Sequence, residues 1–190
     1  MAPPVRTPRQ AWIDAALTIL STSGPEAIRV ETLAAELGVT RGGFYRQFAG
    51  RQELLDAVLD TWEHRSIDEV LRRLDVEGGD AKSKVRRAGR MTLSKELLPI
   101  DLAVREWARR EPAVAARLVR VDNSRMDYLR ELIGTLHSDP REVEARSMLA
   151  FSLMIADYLV AAEHHTGTRA EIVQSAADLI LNGEGKVDVR

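Results

Sequence analysis

Three guanidinium groups and a phenol fall within eleven residues of this chain: Arg41, Tyr45, Arg46 and Arg51, with no carboxylate between Val39 and Arg51. An acid there would repel phosphates, and its absence suits contact with a polyanion. Arginine can meet guanine O6 and N7 through two parallel hydrogen bonds, which makes Arg41 and Arg46 candidates for reading bases. Tyr45 would donate its hydroxyl to phosphate. Thr40, Gln47 and Arg51 would be further anchors on the backbone of a duplex, contacts that set position rather than sequence. Gly42 and Gly43 lack side chains and would let the chain approach base edges closely. Two adjacent glycines also cost about 1 kcal/mol each in helix propensity relative to Ala, so the segment either approaches DNA closely or firms up on it.

These residues need a short, supported helix. Phe44 and Phe48 lie four apart and would bury its underside, leaving Arg41, Tyr45 and Arg46 outside. Three of the chain's nine aromatic residues lie between Phe44 and Phe48. Just before them, Leu33, Ala34 and Leu37 share one helical face. Gly38 can stop that helix by taking positive φ. Val39 plugs the turn, and Thr40 can cap the next helix by accepting a backbone N–H. Two short helices joined by a Gly-containing turn make a helix-turn-helix. The same spacing also describes an ordinary helical hairpin in a bundle.

The residues themselves separate the two. The string Gly38-Val-Thr-Arg-Gly-Gly-Phe-Tyr-Arg-Gln-Phe48, followed by Arg51-Gln-Glu-Leu-Leu55, resembles the TetR family of bacterial transcriptional regulators. The match holds at Gly38, Val39, Thr40, Gly42, Phe44, Tyr45, Phe48 and Arg51. The sequence departs from the family pattern at Arg29, where a Ser or Thr cap is usual, at Gly43, and at Gln47, where His is usual. The resemblance implies an all-α chain. An N-terminal three-helix DNA-binding domain over 1–50 would precede a larger helical effector-binding and dimerisation domain over 51–190. It also implies a homodimer on a palindromic double-stranded operator, released by a small-molecule effector.

Helical periodicity supports the rest. Trp12, Ile13, Ala16, Leu17 and Leu20 form an apolar stripe over 8–22, ended by Ser23-Gly24-Pro25. Arg6 and Arg9 lie in a proline-rich start and either reach DNA as an arm or belong to a loose tail. One helix is expected over 51–74, with Leu54, Leu55, Val58, Leu59 and Trp62 inward. Further helices are expected near 81–96, 98–109, 112–136, 140–164 and 169–181. The tail 182–190 is expected to fray.

Large or adaptable apolar residues occur on several of these helices. Trp62, Met91, Leu98, Trp107 and Tyr128, with Phe151, Met154 and Tyr158, either line a ligand pocket or fill a core. Asp157 stands in an apolar run and needs a partner, either a polar or cationic ligand group or a salt bridge. The segment 140–164 is apolar on most sides, as a helix buried on most sides would be. Met148, Ser152, Ile155, Ala156 and Leu159 there, with Ile172, Ala176, Leu179 and Ile180 in the next helix, could pair two subunits as a four-helix bundle. The resemblance implies pairing of this kind. The stretch Asp101–Pro112, with Val121, Asp122 and Arg125, also resembles one branch of TetR-type effector domains, without naming a ligand.

Composition narrows the remaining classes. The absence of cysteine excludes disulfides, thiolate catalysis and cysteine zinc fingers. There is no apolar run of membrane-spanning length and no signal-like start, so a cytoplasmic protein is expected. Residues 1–51 carry six arginines and four acids, a balance of +2 against −4 for the remainder. That mild asymmetry permits DNA binding at one end. No hydrolase elbow, phosphate loop or zinc-protease motif is present. His164 and His165 are adjacent, so on a helix they point about 100° apart and chelate poorly. Near a helix C-terminus they would favour its dipole. Neither metal nor cofactor is expected, nor catalysis. The competing reading is a helical enzyme or small-molecule carrier using the C-terminal pocket.

Overall fold

The computed structural model describes residues 7–92 and 94–182. Arg6 and the tail beyond Asn182, both singled out in the sequence, lie outside the described residues. Within them the chain is all α, with no strand. The helices are α1 (Arg9–Ser23), α2 (Val30–Glu36), α3 (Arg41–Tyr45), α4 (Arg51–Ser66), α5 (Asp68–Glu77), α6 (Ala81–Thr92), α7 (Leu98–Ala108), α8 (Pro112–Gly134), α9 (Pro140–Leu159) and α10 (Arg169–Asn182). A 3-10 turn, Pro25–Ala27, follows α1.

Two compact units are present. One comprises Met1–Glu69 with Ser94–Val121, the other Val70–Leu93 with Asp122–Arg190. These units are drawn differently from the sequence division at residue 50. The reason lies in α4, whose Leu54, Leu55, Val58, Leu59 and Trp62 are buried in the same cluster as Trp12, Ala16, Leu17 and Leu20 of α1. Val104 of α7 and Val114 of α8 join that cluster. Within the same unit the indole N–H of Trp62 donates to buried Asp101 at 3.3 Å, and Arg105 Nε donates to Asp101 at 2.9 Å. Burial of a carboxylate is costly unless it is hydrogen-bonded and paired, and Asp101 is both.

The second unit has its own core of Val85, Met126, Leu129, Leu132, Ile133, Phe151 and Leu181. Helix α10 packs on α9, and α6 packs on α9. Asp139 caps α9, its carboxylate accepting the Arg141 N–H at 2.9 Å.

Three expected helices differ in extent, among them 81–96, where α6 stops at Thr92. The span 51–74 is broken at Ile67 (φ −119°, ψ −73°), between α4 and α5. Neither glycine nor proline marks this break; Ser66 and β-branched Ile67 are merely weak helix formers. The expected helix 140–164 stops at Leu159, with Val160 extended (φ −81°, ψ 113°). There Arg169 donates to the carbonyls of Asp157 and Val160, taking acceptors that a continuing helix would need. His164 and His165 therefore lie beyond the helix, and the dipole role expected for them does not apply.

Candidate nucleic-acid interface and cavity

The turn between α2 and α3 is set by Gly38. Its φ of 65° places it in the left-handed region, which glycine reaches without penalty. The Gly38 N–H donates to Ala35 O at 3.2 Å and the Val39 N–H to Ala34 O at 2.9 Å. This pair of bonds is the Schellman arrangement, and it satisfies carbonyls at the end of α2. Helix α3 then follows, with Thr40 at its N-cap. The expected hydroxyl cap is not made; Thr40 instead accepts the Gly43 N–H on its carbonyl at 2.9 Å. At the start of α2, Arg29 likewise makes no side-chain cap.

The underside of α3 is an aromatic floor. Phe44 and Phe48 are buried and stack 5.3 Å apart, and Trp12 meets Phe44 edge-on at 5.4 Å. Gly43 faces this floor rather than outward: a Cβ there would lie 3.6 Å from Trp12 Cζ2. The close approach expected of both glycines is thus divided. Gly43 lets α3 settle on Trp12, and Gly42 is exposed. Tyr45 is 54% exposed, its ring edge-on to Phe44. Thr40, Arg41 and Arg46 are exposed with it. Arg41 pairs with Glu31 of α2 at 3.1 Å, whereas Arg46 has no partner among the described residues.

Arg51 and Gln47, expected to touch DNA, and Arg9, expected either as an arm or in a loose tail, each bond protein atoms. Arg51 donates through Nε to Ile28 O at 2.7 Å and through Nη2 to Pro25 O, bracing the turn before α2. Gln47 donates to Thr7 O at 3.3 Å. Arg9 donates to Gln47 O, pairs with Glu53 at 2.9 Å and lies 4.0 Å over the Phe48 ring. An arginine neutralised by a carboxylate and seated on an aromatic face is a clamp on the end of α3, not a free arm. Glu53 also accepts the Ala49 N–H at 2.6 Å. That bond first, and Arg9 second, hold its carboxyl below the usual value.

The second unit contains a cavity of about 410 Å³ between α6, α8, α9 and α10. Ala150, Leu153, Met154 and Asp157 of α9 face it, at i, i+3, i+4 and i+7. Val85, Arg86, Gly89 and Arg90 come from α6, and Val173, Gln174, Ala177 and Ile180 from α10. Gly89 brings α6 close to α9, where an added Cβ would lie 3.6 Å from Met154 Sδ.

Residues 13–58 match the family model of bacterial regulatory proteins of the tetR family. The chain is 41% identical over 56 residues to two HTH-type transcriptional regulators of Pseudomonas putida, SrpR and TtgW. That alignment takes in 30% of this chain, 26% of SrpR and 42% of TtgW, so the chain spans under half the length of these relatives. Solved structures extend the likeness in fold alone. AibR in complex with isovaleryl coenzyme A and operator DNA matches with a TM-score of 0.64 at 14% identity, over 91% of this chain and 97% of that one. A transcriptional regulator of the TetR/AcrR family from Thermobifida fusca matches with a TM-score of 0.61 at 17% identity, over 93% and 97%.

Beyond the TetR-type segment, the residues expected in one pocket are scattered. Met154 and Asp157 line the cavity. Trp62 is core in the first unit, and Trp107 packs against that core. Leu98 opens α7 in the same unit. Phe151 and Tyr128 belong to the second core and its margin. Met91 is half-buried on α6 without lining the cavity, and Tyr158 is exposed. The cavity draws mostly on small and branched residues, to which a search for large side chains is blind. Its signal in the sequence was the helical spacing of 150, 153, 154 and 157.

The residues expected to pair subunits divide by face. Met148, Ser152 and Leu159 of α9 and Leu179 of α10 are exposed, and Ala156, Ile172 and Ala176 are half-buried. Ile155 and Ile180 pack against the second core, and Ile180 also lines the cavity. Among the described residues no cluster of acids and histidines could hold a metal, and no helix is long and apolar enough to cross a membrane.

Proposed function

We propose that the protein is a homodimeric, effector-responsive transcriptional repressor, with residues 1–50 reading DNA and 51–190 binding effector and partner. Each subunit presents α3 to one major-groove half-site of a palindromic operator, because two-fold symmetry in the protein is mirrored in its DNA. The observation that carries this reading is the outward set of Arg41, Tyr45 and Arg46 above the buried Phe44 and Phe48. Arg41 and Arg46 read bases. Tyr45 and Thr40 touch phosphate, and exposed Gly42 leaves room for the groove wall.

The pairing surface is the stripe of Met148, Ser152 and Leu159 on α9 with Leu179 on α10. On α9 this stripe lies opposite the cavity-facing residues, since 100° per residue separates the two sets by close to half a turn. Exposed apolar stripes of this kind mark association surfaces. An effector held in the cavity favours a subunit geometry in which the two α3 helices no longer match the groove spacing. It acts only by binding the two states unequally.

Selection of bound duplexes from a random DNA pool, repeated with a metabolite mixture, tests the proposal. It expects enrichment of a two-fold symmetric sequence that the mixture abolishes. Recovery of no preferred duplex would overturn it.

A further inference from the structure

We infer that the cavity of the second unit takes an amphiphilic monoanion, an apolar acid whose tail fills the interior and whose carboxylate meets Arg90. This names the effector class and rests on the effector-responsive reading above. The lining grades from dry to wet. Val85, Leu129, Ala150 and Leu181 are buried at its depth, whereas Arg90 and Gln174 are exposed at its mouth. A ligand seated there puts its apolar part inward and its polar head outward.

The charges at the lining decide the sign of that head. Arg86 is neutralised by Asp178. Asp157, the residue that from sequence could have recruited a cation, is paired with Arg169 at 3.4 Å, and Arg169 is further fixed by the Asp157 carbonyl at 2.6 Å. Gln174 is neutral and donates to Asp178 at 3.1 Å. Arg90 alone among the charged lining residues has no hydrogen bond or ion pair among the described residues. The cavity therefore presents one uncompensated positive charge over an apolar interior. A carboxylate matches a guanidinium fork with two parallel bonds. An alcohol gains little from it, and an ammonium is repelled.

Isothermal titration of the full chain with decanoate, decanol and decylamine at neutral pH tests the inference. Decanoate is expected to bind tightest. Arg90→Gln should weaken decanoate by about two- to fivefold while leaving decanol unchanged, in keeping with an ion pair at a solvent-facing mouth. Ala177→Phe, which fills the cavity, should weaken both, with a thermal melt confirming that the variant is folded. The inference is overturned if none of the three probes binds, or if decanol or decylamine matches decanoate. It is also overturned if Arg90→Gln leaves decanoate affinity intact, or if folded Ala177→Phe binds like the parent. Duplex binding of the decanoate-loaded protein is a separate measurement. If decanoate binds through Arg90 and DNA affinity does not change, the regulatory reading falls and the ligand class stands.

Discussion

Arg41 on the proposed reading helix is held by Glu31 on the helix before it, at 3.1 Å, with both side chains about 60% exposed. A base-reading guanidinium is thus occupied by an acid across the turn and must leave that acid to reach guanine. Glu31→Gln should release Arg41 and remove a negative charge from a surface facing phosphates. The expected gain in duplex affinity is about two- to fivefold, the range an exposed ion pair supports. Fluorescence anisotropy on a labelled duplex measures it, and weaker binding by the variant would contradict the arrangement.

Arg46 has no such restraint, so its loss should read differently from that of Tyr45. Arg46→Ala, like Arg41→Ala, is expected to relax discrimination at one base position by about 1–3 kcal/mol. Tyr45→Phe should weaken all duplexes alike. Comparing affinities for single-base operator variants separates the two patterns. Uniform losses for all three variants would remove the base-reading assignment.

Gly43 rests on Trp12 with space for one carbon, an added Cβ lying 3.6 Å from Trp12 Cζ2 and 4.0 Å from Val39 Cγ2. Gly43→Ala should therefore be accepted and should stabilise α3 by up to about 1 kcal/mol. In a chain of this size that is a rise in Tm of about 2–4 °C. A fall in Tm would show that Trp12 cannot accommodate the methyl group.

The Glu53 carboxyl is lowered by the Ala49 N–H and then by Arg9. A carboxylate with a depressed folded value contributes stability above its unfolded value and loses it as pH falls through the folded one. Glu53→Gln should thus be less stable than the parent at neutral pH, and the gap should close as the solution is acidified below the usual carboxylate range. Urea unfolding at a series of pH values follows it. A gap that stays constant into strong acid would exclude the linkage.

Leu159 and Leu179 are 64% and 76% exposed, on the apolar stripe away from the cavity. Changing both to Glu should leave the fold intact, because neither contributes to a core. It should split the proposed homodimer, because two copies would bury unpaired carboxylates. Sedimentation velocity reads the change. A variant sedimenting like the parent would move the interface elsewhere.

The turn between α2 and α3 and the underside of α3 were legible because they depend on local chemistry. Gly38 needs positive φ, and Phe44 and Phe48, one turn apart, share one face of α3. Gln47 and Arg51 read as DNA contacts, and Arg9 as an arm or a loose tail, from local chemistry alone. A charged side chain does not declare which distant carbonyl or carboxylate it will meet, and all three meet protein atoms. The break at Ile67 and the early end of α9 were hidden because the first carries no glycine or proline and the second coincides with acceptors taken by Arg169 from beyond the helix.

Periodicity and turn residues determined an all-α chain whose short helix bears arginines above an aromatic floor. Packing decided what those side chains are free to do. Asp157 came to face a cavity already neutralised, Trp62 became a core residue bound to Asp101, and Arg90 was left without a partner among the described residues. Helix propensity acts between near neighbours in the chain, whereas charge pairing and cavities arise between residues that only tertiary folding brings together.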